Sequence, residues 1–119
     1  MPARNDALRD RLSRASEINI SVTGRKSGRA ITIPVWFVFE DDELYLLPVQ
    51  GSDTQWYKNV LKKPMMRLDA RGAEAEVKVT PITAATQVLF VVEKFRAKYA
   101  GDVKKYYSKF DAAVVAQLQ

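Results

Sequence analysis

Between Thr23 and Arg29 the chain reads Thr-Gly-Arg-Lys-Ser-Gly-Arg, which puts three cations, two hydroxyls and two glycines into seven residues. Glycine lets backbone amides come close to a ligand, arginine offers a forked donor matched to phosphate oxygens, and lysine adds a point charge. The segment is equipped to grip a compact anion, and a phosphate-bearing group fits it best. It is not the phosphate loop of nucleotide hydrolases, which needs four residues between its glycines and a Lys-Ser/Thr pair leading into a helix. Gly24 and Gly28 enclose only Arg25, Lys26 and Ser27, and a strand pattern follows. Composition alone would also suit a solvated basic turn; the two hydroxyls favour binding.

A second set of candidate contacts is Gln50, Gly51 and Ser52, placed just before a helical pattern where backbone amides and the helix dipole can meet an anion. Trp56, behind them, reads as core. Tyr99, Tyr106 and Tyr107 are candidates for a phenolic proton or an aromatic lid, against the ordinary alternative of packing. The chain has no cysteine and no histidine. That removes disulfides, thiolate catalysis, the usual zinc sites, the commonest general base and the Ser-His-Asp triad, so no metal is expected. Catalysis on this chain would come from carboxylates, tyrosine, lysine or a bound organic cofactor.

The elements that must hold these residues follow from periodicity. Ile18, Ile20 and Val22 alternate with polar residues before the basic segment, and Ile31, Ile33, Val35, Phe37 and Phe39 alternate with Thr32, Pro34, Trp36 and Val38 after it. The basic segment is therefore a hairpin tip. The acidic turn at residues 40–43 leads to a third strand over 44–48, and Asp53 or Thr54 caps a short helix that ends before Pro64, with Trp56, Val60 and Leu61 as its apolar face. A second hairpin runs over 65–71 and 74–80, turned at Arg71-Gly72 and closed by Pro81. Val88, Val92, Phe95 and Tyr99 have helical spacing, Gly101 ends that helix, and Asp102 caps another. Residues 112–118 read as a strand or a helix, and Leu8, Leu12 and Ala15 mark an amphipathic helix over 4–15. Five or six antiparallel strands with one short inserted helix and C-terminal helices favour a split β-barrel over a sandwich.

With 119 residues and 47% hydrophobic composition, one domain over 1–119 is expected. It divides into a helical arm at 1–16, a barrel core at 17–80 and a tail at 81–119. No apolar run approaches the length of a membrane span and no leader pattern stands at the N-terminus, so a soluble cytoplasmic protein is expected. The net charge of +5 is uneven: residues 1–30 hold seven Lys/Arg against three Asp/Glu, and the rest hold twelve against eleven. Clustered cations suit a compact anionic ligand better than nucleic acid, which is usually met by a longer basic groove with exposed aromatics.

The segment 23–28, the Thr32-x-Pro34 strand, Leu44-Tyr45-Leu46, and Trp56-Tyr57-x-Asn59 followed by Lys63-Pro64 together resemble the deazaflavin-dependent nitroreductase family. More broadly they resemble the flavin-binding split-barrel superfamily that includes pyridoxamine phosphate oxidase. The match runs over about residues 17–80, with a looser one in the tyrosine-rich tail. The resemblance implies a cofactor, deazaflavin coenzyme F-420 first and FMN as the alternative, with Arg25, Lys26, Ser27 and Gly28 at its phosphate. Thr32, Pro34, Gln50, Gly51 and Ser52 would line the ring and linker. It also implies hydride transfer to a quinone-like, nitro or activated-alkene acceptor. The alternatives are a flavin carrier without turnover and a nucleic-acid or anionic-partner module; a homodimer is compatible with each. The loop before Trp56 is shorter than in that family and lacks a cation and a hydroxyl, so the sequence is most similar to an uncharacterised branch of the superfamily. Arg9, Arg11 and Arg14 would then be free to meet the longer anionic tail of F-420.

Overall fold

The computed structural model describes residues 6–118. In chain order the elements are α1 (Asp6–Arg14), β1 (Ile18–Thr23), β2 (Ala30–Val35), β3 (Phe37–Glu40), β4 (Glu43–Leu46), α2 (Gln55–Lys62), β5 (Met65–Ala70), β6 (Ala73–Ile82), α3 (Ala85–Tyr99), α4 (Asp102–Tyr106) and β7 (Ala113–Gln117). A single 3-10 turn at Gly51–Asp53 precedes α2. Arg4 and Asn5, expected at the start of the first helix, lie outside the described residues.

The strands form one antiparallel sheet in the order β2-β1-β5-β6-β7-β4-β3. This is the expected split-barrel architecture with helices, built from seven strands rather than five or six. The count differs for two reasons. Residues 31–39 are not one strand: the chain leaves β2 at Val35, passes Trp36, and re-enters the sheet at its opposite edge as β3. Consecutive residues thus join the two edges, which is what curls the sheet towards closure. Residues 113–117 are the strand of the two alternatives, set between β6 and β4.

Other local expectations change in instructive ways. β6 does not stop at Pro81 but runs through it to Ile82, with Pro81 opposite Val114; its first half pairs with β5 and its second with β7. A proline is tolerated where its missing N–H is not needed by the ladder. Two tight hairpins have positive φ at both loop residues, Asp41 (53°) with Asp42 (63°) and Arg71 (54°) with Gly72 (89°), the geometry that matches strand twist. After α3 the positive φ falls on Ala100 (53°) and not on Gly101, which precedes α4 with ordinary φ, and Asp102 is the first helical residue of α4 rather than its cap. Leu61 of α2 is exposed, and Tyr57 takes its place in the core. Thr54 stands at the N-cap of α2, but its hydroxyl accepts from the Gln50 amide at 2.8 Å and caps nothing.

Two apolar clusters result. The larger fills the concave side of the sheet, where Leu8 and Leu12 of α1, Trp56, Tyr57 and Val60 of α2, and Ile20, Phe37, Leu44, Met66 and Leu68 of the strands meet. The smaller lies between β3, β4 and β7 and the face of α3 carrying Val88, Val91, Val92 and Phe95, with Val103 and Tyr107 joining it. Burying a side chain of this size contributes roughly 1.5–3 kcal/mol, so α1 and α3 are both held by tertiary packing more than by helix propensity.

Candidate ligand site

The basic segment is the tip of the β1–β2 hairpin. The Gly24 amide donates to the Arg29 carbonyl at 2.8 Å, and the Gly28 amide, with φ at 71°, donates to the Gly24 carbonyl at 2.9 Å. A Cβ on Gly24 would press on Ser27 Oγ at 2.7 Å, while one on Gly28 would meet nothing. Lys26, Ser27, Gly28 and Arg29 are exposed.

Arg25 is different. Its backbone amide and Nη1 both donate to Oδ1 of Asn59, at 3.1 and 2.8 Å, and its Nη2 donates to Oε1 of Gln55 at 2.8 Å. Lys62 Nζ closes the arrangement on the Arg25 carbonyl at 3.1 Å. Asn59 is the buried polar side chain of the described core, and this latch is why it can be buried: its acceptor oxygen is satisfied twice. Of the five N–H groups of the guanidinium, two are committed to α2. The latch fixes the hairpin against the helix that carries Trp56.

The second loop stands apart. The Ser52 amide donates to Oδ1 of Asp111 at 2.8 Å, and the Ser52 hydroxyl donates to Oδ2 at 2.6 Å. Lys109 Nζ adds ion pairs to Asp53 at 3.1 Å and Asp111 at 3.6 Å. The Ser52 hydroxyl, helped by its amide and by Lys109, holds the Asp111 carboxyl below the usual aspartate range. Gly51 has φ at 56°, and a Cβ there would collide with Asp111 Oδ1 and lie 3.0 Å from Lys109 Cγ. The donors expected to meet a ligand's anion therefore hold a carboxylate of this chain.

A cavity of about 450 Å³ opens near the Trp36 crossover, where β2 passes to β3. Ile33, Pro34, Val35 and Trp36 form one wall, Leu47, Val49, Thr54 and Trp56 another, and Tyr106 and Tyr107 a third, with Glu17 and Asp102 as the charged members of the lining. Of the residues expected at a ring and linker, Pro34 is in this lining. Thr32, Gln50, Gly51 and Ser52 are not: the Thr32 hydroxyl pairs with that of Ser21 at 2.7 Å across the hairpin. Trp36, which periodicity marked only as one member of an alternating run, is the hub of the aromatic cluster. Tyr99 stacks on it at 4.5 Å and 7°, Tyr106 meets it edge-on at 5.7 Å, and Tyr107 is tilted at 5.9 Å. Its place in the break between β2 and β3 could not be read from a pattern that continued past it.

The three tyrosines divide by role. The Tyr99 hydroxyl accepts from the Phe37 amide at 3.1 Å and stands 2.8 Å from both the Ser16 and the Phe37 carbonyls. It ties the crossover to the end of α1 and does not line the cavity. Lys98 Nζ donates to the same Phe37 carbonyl at 2.8 Å over the Phe37 ring, and desolvation lowers it to about 8. Tyr107 lines the cavity and is largely buried; desolvation pushes its phenol far above the ordinary value, with Tyr99 adding to the shift. It holds its proton throughout the working pH range. Tyr106 lines the mouth and is exposed. The α1 arginines expected to meet an anionic tail have carboxylate partners in two cases, Arg9 with Asp42 and Arg14 with Asp10 at 3.2 Å.

Residues 9–117 match the model of DUF2255, whose description is an uncharacterized protein conserved in bacteria. The chain belongs to this family. No curated protein matches it in sequence. Among solved structures, it is similar to HutZ, the heme storage protein from Vibrio cholerae, at 9% identity and a TM-score of 0.71 over 95% of this chain and 88% of that one. An F420-H2 dependent reductase, FDR-A, aligns at 15% identity and a TM-score of 0.67 over 86% and 94% of the two chains. A protein from Listeria innocua proposed as a pyridoxamine 5'-phosphate oxidase aligns at 9% and 0.68 over 96% and 91%. At such identities the likeness is one of fold alone, the split barrel. No helix of the described residues is long and apolar enough to cross a membrane.

Proposed function

We propose that this DUF2255 chain binds a flavin-type cofactor, F-420 first and FMN as the alternative, and serves as a reductase of a small organic acceptor. One observation carries the reading: a single strand, β2, leaves the basic hairpin at Ala30 and enters the cavity wall at Ile33. Four residues of strand from Arg29 to Ile33 span about 13 Å, a distance that a phosphorylated linker and ring system bridges. The residues present fit such a ligand. Lys26 and Arg29 are exposed cations for the phosphate, with the uncommitted N–H groups of the anchored Arg25 beside them. The cavity lining has no cation, which directs the phosphate outward, and its apolar wall of Ile33, Pro34, Val35, Trp36 and Trp56 suits a planar ring.

When bound, a reduced flavin or deazaflavin supplies the hydride, which is why a site without histidine or cysteine is sufficient. The chain's own part is to orient and to exclude water. Trp36 and Trp56 flank the ring space, Tyr107 offers a phenol that stays protonated, and Tyr106 closes the mouth. β2 is largely exposed along its length, and a second copy of the chain covering it is part of the proposal.

Titration of the purified protein with F-420 and with FMN, followed by calorimetry and absorbance, tests the reading. Saturable binding with F-420 tighter than FMN is expected, followed by oxidation of the reduced cofactor by a quinone. A carrier would bind the same ring and leave the quinone unreduced. Absence of binding by both cofactors would overturn the proposal.

A further inference from the structure

Two carboxylates border an otherwise aromatic and aliphatic cavity, and they have no cation. Glu17 and Asp102, both exposed, form no ion pair among the described residues; Asp41, Glu43, Asp69 and Glu76 form none either, but only Glu17 and Asp102 are in the cavity lining. No lysine or arginine lines the cavity. Asp102 has a local reason to exist, as an acid in the first turn of α4. Glu17 has none: it stands between α1 and β1, and its charge adds only a minor part to the desolvation that raises the Tyr99 phenol.

The rest of the lining is suited to positive charge. Trp36, Trp56, Tyr106 and Tyr107 offer π-systems whose faces attract cations, and tryptophan is the best of them. The ammonium groups around this cluster already use it so: Lys105 Nζ lies 5.3 Å from the Tyr106 centroid, and Lys98 Nζ lies 3.7 Å from that of Phe37 and 5.1 Å from that of Tyr99. Neither lysine lines the cavity, so its aromatic lining has no counter-ion within the cavity itself, although one face of Trp36 is covered by Tyr99. An anionic ligand would there meet two carboxylates and no donor cation.

We infer that the cavity takes an organic cation, a small ring or alkyl group bearing a quaternary or protonated nitrogen, caged by Trp36, Trp56, Tyr106 and Tyr107 and neutralised by Glu17 and Asp102. The inference rests on the cavity alone: the cation would occupy the space between the same side chains that the proposed function gives to the cofactor ring, so cation and ring are competing occupants.

The chain has two tryptophans and both line the cavity, so intrinsic fluorescence reports its occupancy directly. The full chain is titrated with benzyltrimethylammonium, benzyl alcohol and benzoate. The cation is expected to quench with at least tenfold tighter affinity than the alcohol, and benzoate to bind most weakly. The combined Glu17→Gln and Asp102→Asn variant should lose that tenfold preference while staying folded, with only the small drop in melting temperature that loss of the first-turn acid of α4 brings, and Trp36→Phe should weaken the cation more than the alcohol. Equal or tighter binding of benzoate, no saturable quenching by the cation, or an undiminished preference in the double variant would overturn the inference. F-420 and FMN binding is measured separately on the same variants. Cofactor binding without cation preference removes this inference alone, and cation preference without cofactor binding removes the cofactor reading alone.

Discussion

Two loops of this chain have the composition of an anion site, and the fold treats them oppositely. At the β1–β2 hairpin, Arg25 is drawn back onto Asn59 and Gln55, leaving Lys26 and Arg29 exposed at the tip. At the Gly51–Asp53 turn, the amide and hydroxyl of Ser52 are consumed by Asp111, and Lys109 lies against Asp53 and Asp111. The lesson concerns donors. A glycine, a hydroxyl and a backbone amide are ligand-receptive only while no group of the same chain reaches them, and a carboxylate 59 residues away in sequence reaches the second loop.

The largest expected effect tests the latch behind the first loop. Asn59→Ala removes the buried acceptor of both Arg25 bonds and strands donors at a covered position, at a cost of about 2–3 kcal/mol; urea denaturation measures it. A loss below about 0.5 kcal/mol would mean that the hairpin is held by other contacts.

Substituting one glycine in each loop sharpens the contrast. Gly51→Ala combines a positive φ with a collision against Asp111 and should cost about 2–3 kcal/mol. Gly28→Ala meets open space and should cost only the left-handed penalty of about 1 kcal/mol. Equal losses in thermal denaturation would break the claim that only the second loop is filled.

Removing the free cations comes next. Lys26→Ala with Arg29→Ala is expected to weaken F-420 or FMN binding at least tenfold, about 1.4 kcal/mol, with an unchanged melting temperature, because both side chains are exposed and neither makes a side-chain hydrogen bond or ion pair among the described residues. Calorimetry that finds full affinity in this variant would take the phosphate off the hairpin.

The smallest effect is a pH dependence confined to the second loop. Asp111 has a folded pKa below its ordinary value of 3.8. Its contribution to stability is therefore complete above that pH and is lost as pH falls through the folded pKa. The stability difference between the native chain and Asp111→Asn should be constant from about pH 7 to about pH 5 and close below about pH 4. A difference that persists into strong acid would show that the carboxylate's charge is not what holds the loop.

Periodicity and composition by themselves determined the hairpins, the three longer helices, the β1–β2 tip with its cations and the kind of barrel these elements make, because each depends on neighbours within a few residues. Alternation places Ile18, Ile20 and Val22 on one face whatever the rest of the chain does, and spacing of three and four sets Val88, Val92 and Phe95 on one side of α3. The tertiary structure alone decided the rest. Residues 31–39 alternate without interruption, so only the need to join two sheet edges puts a break at Trp36 and makes that side chain the hub of the cavity. Arg25 and Lys26 are adjacent cations in sequence; which is anchored and which is free depends on Asn59, 34 residues from Arg25. Gly51 and Ser52 carry donors whatever their surroundings, but the partner that takes the Ser52 amide and hydroxyl, Asp111, is brought by the loop before β7. Hydrogen bonds and ion pairs are short-ranged, so the partners that spend a polar group are chosen by the fold and leave no periodic trace in the chain.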